Sequence, residues 1–402
     1  MFKDIRTNYK FTRLTCYVSY FIQAIAVNFL PLLFVTLREE YSLSLAQITF
    51  LITINFAIQL SIDALSVFFV DKIGIRTSYI LSHVFPFLGL VFLSFLPQLI
   101  GNAYAGLLIA VIFMAAGSGL HEVLVSMILE GSNTDNHTTS MSLLHSFYCW
   151  GCVAVFVLST VFFNLFGIQN WRILALIWAL IPLLDLAPVA IVPLRIPVPE
   201  GEQSASLKDL FKNKFFWIFL ICMICAGASE QSVSQWTSTL AETTLHLPKS
   251  VSDLAGPLTF SVAMGLTRTM YGIIGKKFRL EKFMIISAFT CVCAYLLISF
   301  SPLPVFSIIG CALCGFSVGI MWPGTLSLAP GFIKNGGTAM YALFALGGDI
   351  GCLSGPTIVG LASSANGDSL DTGVLAAILF PVLILVFSIV LAAQIKKRGQ
   401  HD

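Results

Sequence analysis

Twelve apolar runs of about 20 residues recur along this chain, each long enough to cross a hydrocarbon layer of roughly 30 Å as a helix. They lie near 14–37, 44–70, 78–97, 103–130, 139–166, 171–193, 214–241, 250–275, 282–299, 303–330, 337–362 and 371–395. Inside a bilayer every backbone N–H and C=O must be satisfied within the protein, which leaves continuous helices as the solution for runs of this length. Composition agrees: of 402 residues, 57% are hydrophobic and 10% charged, against roughly 25% charged in soluble domains. The loops are short except for 194–213, which carries Pro197, Pro199, Glu200 and Glu202, and no soluble domain fits between the runs. The pattern predicts an all-α membrane protein of twelve transmembrane helices. Its domains are expected to be a six-helix bundle over 1–193, a cytoplasmic linker over 194–213 and a second six-helix bundle over 214–402.

If the amino terminus is cytoplasmic, all of the 22 lysines and arginines except Arg38, Arg172, Lys249 and Arg268 fall on the inner side. The positive-inside rule therefore places both termini in the cytoplasm. The net charge of +2 reflects this topology, and no basic face offers itself to nucleic acid. The segment Met1 to Arg13 is basic, but the first apolar run is too long for a signal h-region and lacks a small-residue cleavage site. Short loops without a targeting segment fit a bacterial cytoplasmic membrane. Three CxxC spacings, Cys149/Cys152, Cys222/Cys225 and Cys311/Cys314, sit inside apolar runs, where cysteine acts as a small hydrophobe. Neither a metal site nor a cofactor is expected.

The chain repeats internally. The loop after run 2 reads FFVDKIGIR and the loop after run 8 reads MYGIIGKKFR, so Asp71 aligns with Lys276 in two six-helix halves. The first loop resembles the signature of the major facilitator superfamily: Asp71, Lys72, Gly74 and Arg76 match it, while Val67 stands where a glycine belongs. The second copy keeps Gly272 and loses the acid. The resemblance implies the major facilitator fold, two pseudo-symmetric bundles, and a cytoplasmic-gate charge relay of Asp71, Lys72 and Arg76. A solvated turn is the alternative for Lys72 and Arg76.

Charge buried in hydrocarbon marks function, because an ionisable side chain there is costly and faces a path or a partner. Asp63, Glu122, Asp185, Glu230 and Asp349 fall within the runs. Helix 2 carries Asn55, Gln59 and Asp63 on one face, and helix 4 carries Ser118, Glu122 and Ser126 on one face. Glu122 lies eight residues from Glu130, Asp63 eight from Asp71, His145 seven from Thr138 and Arg268 eight from Lys276. All therefore sit roughly 10–12 Å above the inner surface at a rise of about 1.5 Å per residue. This predicts a network in which Arg268 neutralises Glu122 or Asp63 and His145 supports Glu122; Glu230 and Asp349 count nearer the midplane. His121 and Asp185 read as packing exceptions or local hydrogen bonders.

GLHEV in helix 4, SLLHSF opening helix 5, ASEQSVSQW in helix 7 and GGTAMYALFALGGDIGCLSGPTIVG in helix 11 are similar to the fucose-permease group of sugar transporters. That resemblance implies a role for Glu122 in coupling sugar to protons. The group also has a helix-1 acid, where this chain offers Asn28 followed by Phe29, Leu30 and Pro31.

Hydroxyl-rich solutes are bound by amides and aromatic plates, and Gln23, Asn28, Gln231, Gln235, Trp236, Tyr148 and Trp322, with Glu122, Glu230 and Asp349, supply such groups. Each of the amides and aromatics equally suits interhelical packing. Gly347, Gly351 and Gly355 at spacings of four predict close helix contact. The expected function is secondary active transport of a small hydrophilic solute, a sugar, by alternating access with proton symport, carried out by a monomer in the lipid bilayer. Efflux of amphipathic compounds is the alternative, although helix 5 lacks the proline of drug antiporters. A membrane enzyme or sensor fits less well, since no nucleophile with a base, metal cluster or output domain is apparent.

Overall fold

The computed structural model describes residues 5–132, 137–194, 207–243, 247–248, 251–252, 254–274, 279–301, 303–333 and 337–398. The described residues form helices and connecting turns, and the chain divides into two compact units, Met1–Val198 and Pro199–Asp402.

The first unit holds α1 (Tyr9–Asn28), α2 (Leu45–Ile73), α3 (Ile75–Leu99), α4 (Ala103–Gly131), α5 (His137–Phe166) and α6 (Trp171–Ile191). The second holds α7 (Lys214–Ser234), α8 (Thr259–Ile274), α9 (Leu280–Phe300), α10 (Pro304–Leu328), α11 (Gly337–Ala365) and α12 (Leu379–Arg398). Eleven of the described helical segments are long and apolar enough to cross a membrane. In the eighth run the described residues comprise a π-helical turn at Leu254–Leu258, containing Pro257, followed by the 16 residues of α8.

In the first unit α3 packs on α4 and α6, α2 on α4, and α1 on α4, α5 and α6. In the second, α9 packs on α10 and α12, α8 on α10, and α7 on α10, α11 and α12. Adding six to each label of the first set gives the second, so the sequence repeat is a repeat of packing. Each unit has its own apolar centre. Tyr79, Leu120, Leu124 and Val189 lie in one, and Phe216, Phe219, Met223 and Phe344 in the other. Large apolar side chains also cover the outside, among them Leu99, Leu165, Leu184 and Phe300, as a lipid-facing surface requires.

Two runs expected to be continuous are interrupted. After α1 the chain makes a 3₁₀ turn, Leu30–Leu33, and resumes as Phe34–Tyr41. Pro31, which lacks an N–H, sits at the start of that turn where none is needed. α7 ends at Ser234, and the run resumes as Thr237–Thr243. The first helix of each unit is thus broken after a similar length, 20 and 21 residues.

Candidate functional site

In the first unit α1, α2 and α4 bring three of the expected residues together. Gln23 Nε2 donates to Glu122 Oε2 at 3.3 Å, and the carboxylates of Asp63 and Glu122 approach within 4.8 Å. Gln23 is buried, while Asp63 and Glu122 are half-buried. The equal depths read from the sequence are therefore accompanied by lateral adjacency, because α4 packs against both α1 and α2. One turn below Glu122, Tyr20 Oη and Ser126 Oγ lie 3.3 Å apart.

Asn28, at the carboxyl end of α1, donates to the Ala24 carbonyl at 3.0 Å, to Cys152 Sγ at 3.3 Å and to Tyr148 Oη at 3.4 Å. Its amide joins α1 to α5. His145 is exposed, and its ring meets Tyr20 edge-on at 5.4 Å between centroids.

In the second unit a polar ladder runs along α7. Gln235 Nε2 donates to Gln231 Oε1 at 3.1 Å, Gln231 Nε2 to Glu230 Oε1 at 3.4 Å, and Arg268 of α8 approaches Glu230 Oε2 at 3.5 Å. Depth counting separates Glu230 from Arg268, but a long guanidinium arm reaches across more than one helical turn. Within its own unit Arg268 thus has Glu230 as one partner. Trp236 is buried and its indole N–H donates to the Pro356 carbonyl at 3.1 Å. Trp322 lays its ring on Gly348 of α11, where a Cβ would collide with it. Asp349 is half-buried in the same helix.

The expected gate loop joins α2 to α3. Lys72 and Arg76 are exposed, and the side chain of Asp71 lies outside the described residues, as does Lys276. Gly74 has φ +83°, a conformation that side-chain-bearing residues rarely adopt. The Arg76 guanidinium donates to the carbonyls of Val189 at 3.2 Å, Ala190 at 2.7 Å and Val192 at 2.7 Å. It therefore closes the carboxyl end of α6, where free carbonyls and the helix dipole favour a cation.

Sequence reasoning missed one polar centre. His83 of α3 and Asp185 of α6 are buried and lie 3.0 Å apart, and His121 of α4 packs its ring edge-to-face against His83 at 4.8 Å. Asp185 is therefore in a long-range pair and not a local one. The available signal was two histidines and an acid in apolar helices without a stated partner; periodicity does not reveal which of 402 residues meet.

The family description Major Facilitator Superfamily matches residues 16–356. No curated protein sequence matches the chain. Among solved structures, a bacterial homologue of the human lysosomal transporter Spinster, in an inward-facing and unoccupied conformation, is similar with a TM-score of 0.73 at 14% identity, covering 97% of this chain and 98% of that one. The E. coli fucose:proton symporter gives a TM-score of 0.63 at 16% identity, covering 96% and 99%. At these identities the likeness is one of fold.

Proposed function

Because the chain belongs to the Major Facilitator Superfamily, we propose that it is a secondary transporter that moves a small hydrophilic solute, of the sugar or polyol class, together with protons. The single observation that carries this reading is the Gln23, Glu122 and Asp63 group: two carboxylates within 4.8 Å and an amide bonded to one of them, set on three helices in the membrane interior. Charges of like sign at that spacing in a poorly solvated place repel strongly. A proton is the smallest ion that relieves the repulsion, so loading and unloading it is coupled to how the site is solvated. The amides of Gln23, Gln231 and Gln235 offer the paired donors and acceptors that hydroxyl groups require. Glu122 is the proton-coupling residue, with Asp63 beside it, and alternating exposure of the site to the two sides gives net transport. The protein works in a bacterial cytoplasmic membrane as a monomer, with both termini inside.

The test begins with a thermal-shift screen of the purified protein against sugars, polyols, nucleosides and organic acids, since a ligand that binds the folded state raises its melting temperature. The best sugar or polyol is then followed in proteoliposomes. Glu122→Gln is expected to abolish accumulation driven by a proton gradient while counterflow exchange continues. Undiminished gradient-driven accumulation overturns the coupling role, and stabilisation by organic acids alone overturns the solute class.

A further inference from the structure

We propose that His83 and Asp185 form a proton-binding site inside the first unit, apart from Glu122 and Asp63, which holds one proton between imidazole and carboxylate. The proton is counted from the directions of the surrounding hydrogen bonds. His83 Nδ1 lies 3.0 Å from the Tyr79 carbonyl, which can only accept, so Nδ1 carries a hydrogen. Ser82 Oγ, 3.1 Å from the same nitrogen, gives its own hydrogen to the Tyr79 carbonyl at 2.8 Å and presents a lone pair.

With Nδ1 protonated, a neutral ring has a bare lone pair at Nε2. That nitrogen faces Asp185 Oδ2 at 3.0 Å and Ser19 Oγ at 3.4 Å. Ser19 donates to the Thr15 carbonyl at 2.7 Å, so toward His83 it too is an acceptor. Three acceptors without a hydrogen between them repel one another. One proton, on Nε2 or on the Asp185 carboxyl, turns the contact into a hydrogen bond. The opposite tautomer, with hydrogen on Nε2 alone, leaves the Nδ1 lone pair against the Tyr79 carbonyl.

The surroundings limit the count to one. Among the described residues no lysine or arginine pairs with Asp185. The other titratable groups facing the pair are Cys16 from α1, Tyr79 from α3 and His121 from α4. Cys16 and Tyr79 are fully buried, Tyr79 Oη bonding to Ser19 Oγ at 3.0 Å. Both ring nitrogens of His121 are buried without a hydrogen-bond partner among the described residues, so a second proton placed there would find no acceptor. Glu122 follows His121 in sequence but turns to Gln23 on another side of α4. The proton of the pair thus ties α3 to α6, while α4 touches this site through one side chain and the coupling carboxylates through the next.

The test reads the proton directly, in full-length protein labelled with ¹⁵N-histidine and held in lipid nanodiscs. The His83 signals are identified by their loss in His83→Gln or, should that variant not fold, by elimination after replacement of the other histidines. At neutral pH the expected result is both His83 nitrogens protonated, or failing that an infrared band of a protonated carboxylic acid that disappears in Asp185→Asn. In Asp185→Asn the ring is expected to become neutral with hydrogen on Nδ1, and His121→Phe is expected to leave the proton in place. A neutral His83 in either tautomer, without an acid band that depends on Asp185, overturns the proposal. The readout needs no transported solute, so it stands or falls separately from the role of Glu122.

Discussion

Replacing Gly355 by alanine tests the seam between α7 and α11 with a single methyl group. A Cβ built on Gly355 would lie 2.5 Å from the Ala228 carbonyl oxygen, 2.6 Å from Ser232 Oγ and 2.8 Å from the Ala228 Cα, where ordinary contact starts at 3.4 Å. The deficit against the oxygen is about 0.9 Å, and two of the three atoms are backbone or fixed to it, so rotamer changes cannot relieve it. The helices must separate by nearly that amount locally. A gap of about 0.5–1 Å forfeits a quarter to a half of each dispersion contact along the seam, and overpacking of this kind costs about 1–3 kcal/mol. With the obstruction in backbone, about 2–3 kcal/mol is expected. At about 2–4 °C per kcal/mol for a unit of this size, the melting temperature should fall by about 4–12 °C. The assay is thermal unfolding in detergent, with Gly101→Ala, whose added Cβ meets nothing within 4 Å, as control. If Gly355→Ala melts with Gly101→Ala, the seam is loose and the packing argument fails.

Arg76→Gln should lower the melting temperature by an amount corresponding to about 1–2 kcal/mol, since it removes charged donors from three carbonyls at the end of α6; an unchanged value would mean that water caps that end equally well. Glu40 pairs with Arg172 near the opposite end of α6 and also accepts from the Trp171 indole at 3.0 Å. A double-mutant cycle of Glu40→Gln and Arg172→Gln should give a coupling of about 1 kcal/mol, as both groups are partly exposed, and a coupling of zero would reduce the pair to a surface accident. Asn28→Ala is expected to weaken the contact of α1 with α5, measured as a lower melting temperature, whereas Asn28→Asp should add a second pH-dependent step to solute accumulation. Accumulation with the wild-type pH profile in Asn28→Asp would detach this position from coupling.

The helices were legible in the sequence because the bilayer imposes a length on them, and the packing repeat was legible in the two related loops. The breaks were not equally so. Both runs were expected to be continuous: Pro31 sits in the turn after α1, whereas α7 stops at Ser234 with neither proline nor glycine between it and Thr237. Within the site, counting residues from the helix ends set Asp63 and Glu122 at one level, since rise per residue is fixed, and their carboxylates approach within 4.8 Å. The contact of Arg268 with Glu230 was not read from that count, which locates Cα atoms, whereas an arginine acts several ångströms from its own. His83 and Asp185 are separated by 102 positions, and a single polar residue in an apolar helix leaves no periodicity to read. The glycines of α11, spaced by four, did announce their purpose: Gly351 faces the Ile224 carbonyl so closely that a Cβ has no room.

The bonds that α6 makes have a consequence for synthesis. Arg76, Ser94, His83, Thr12 and Glu40 all find partners in residues 172–193, the last part of the first unit to leave the ribosome. Until then these polar side chains stand in emerging helices without their contacts to α6, and the translocon or lipid headgroups must hold them. A nascent chain arrested before α6 should accordingly be recognised by quality-control proteases. One arrested far enough past Val198 for α6 to clear the ribosome exposes the α6 partners that these five residues use, and should persist.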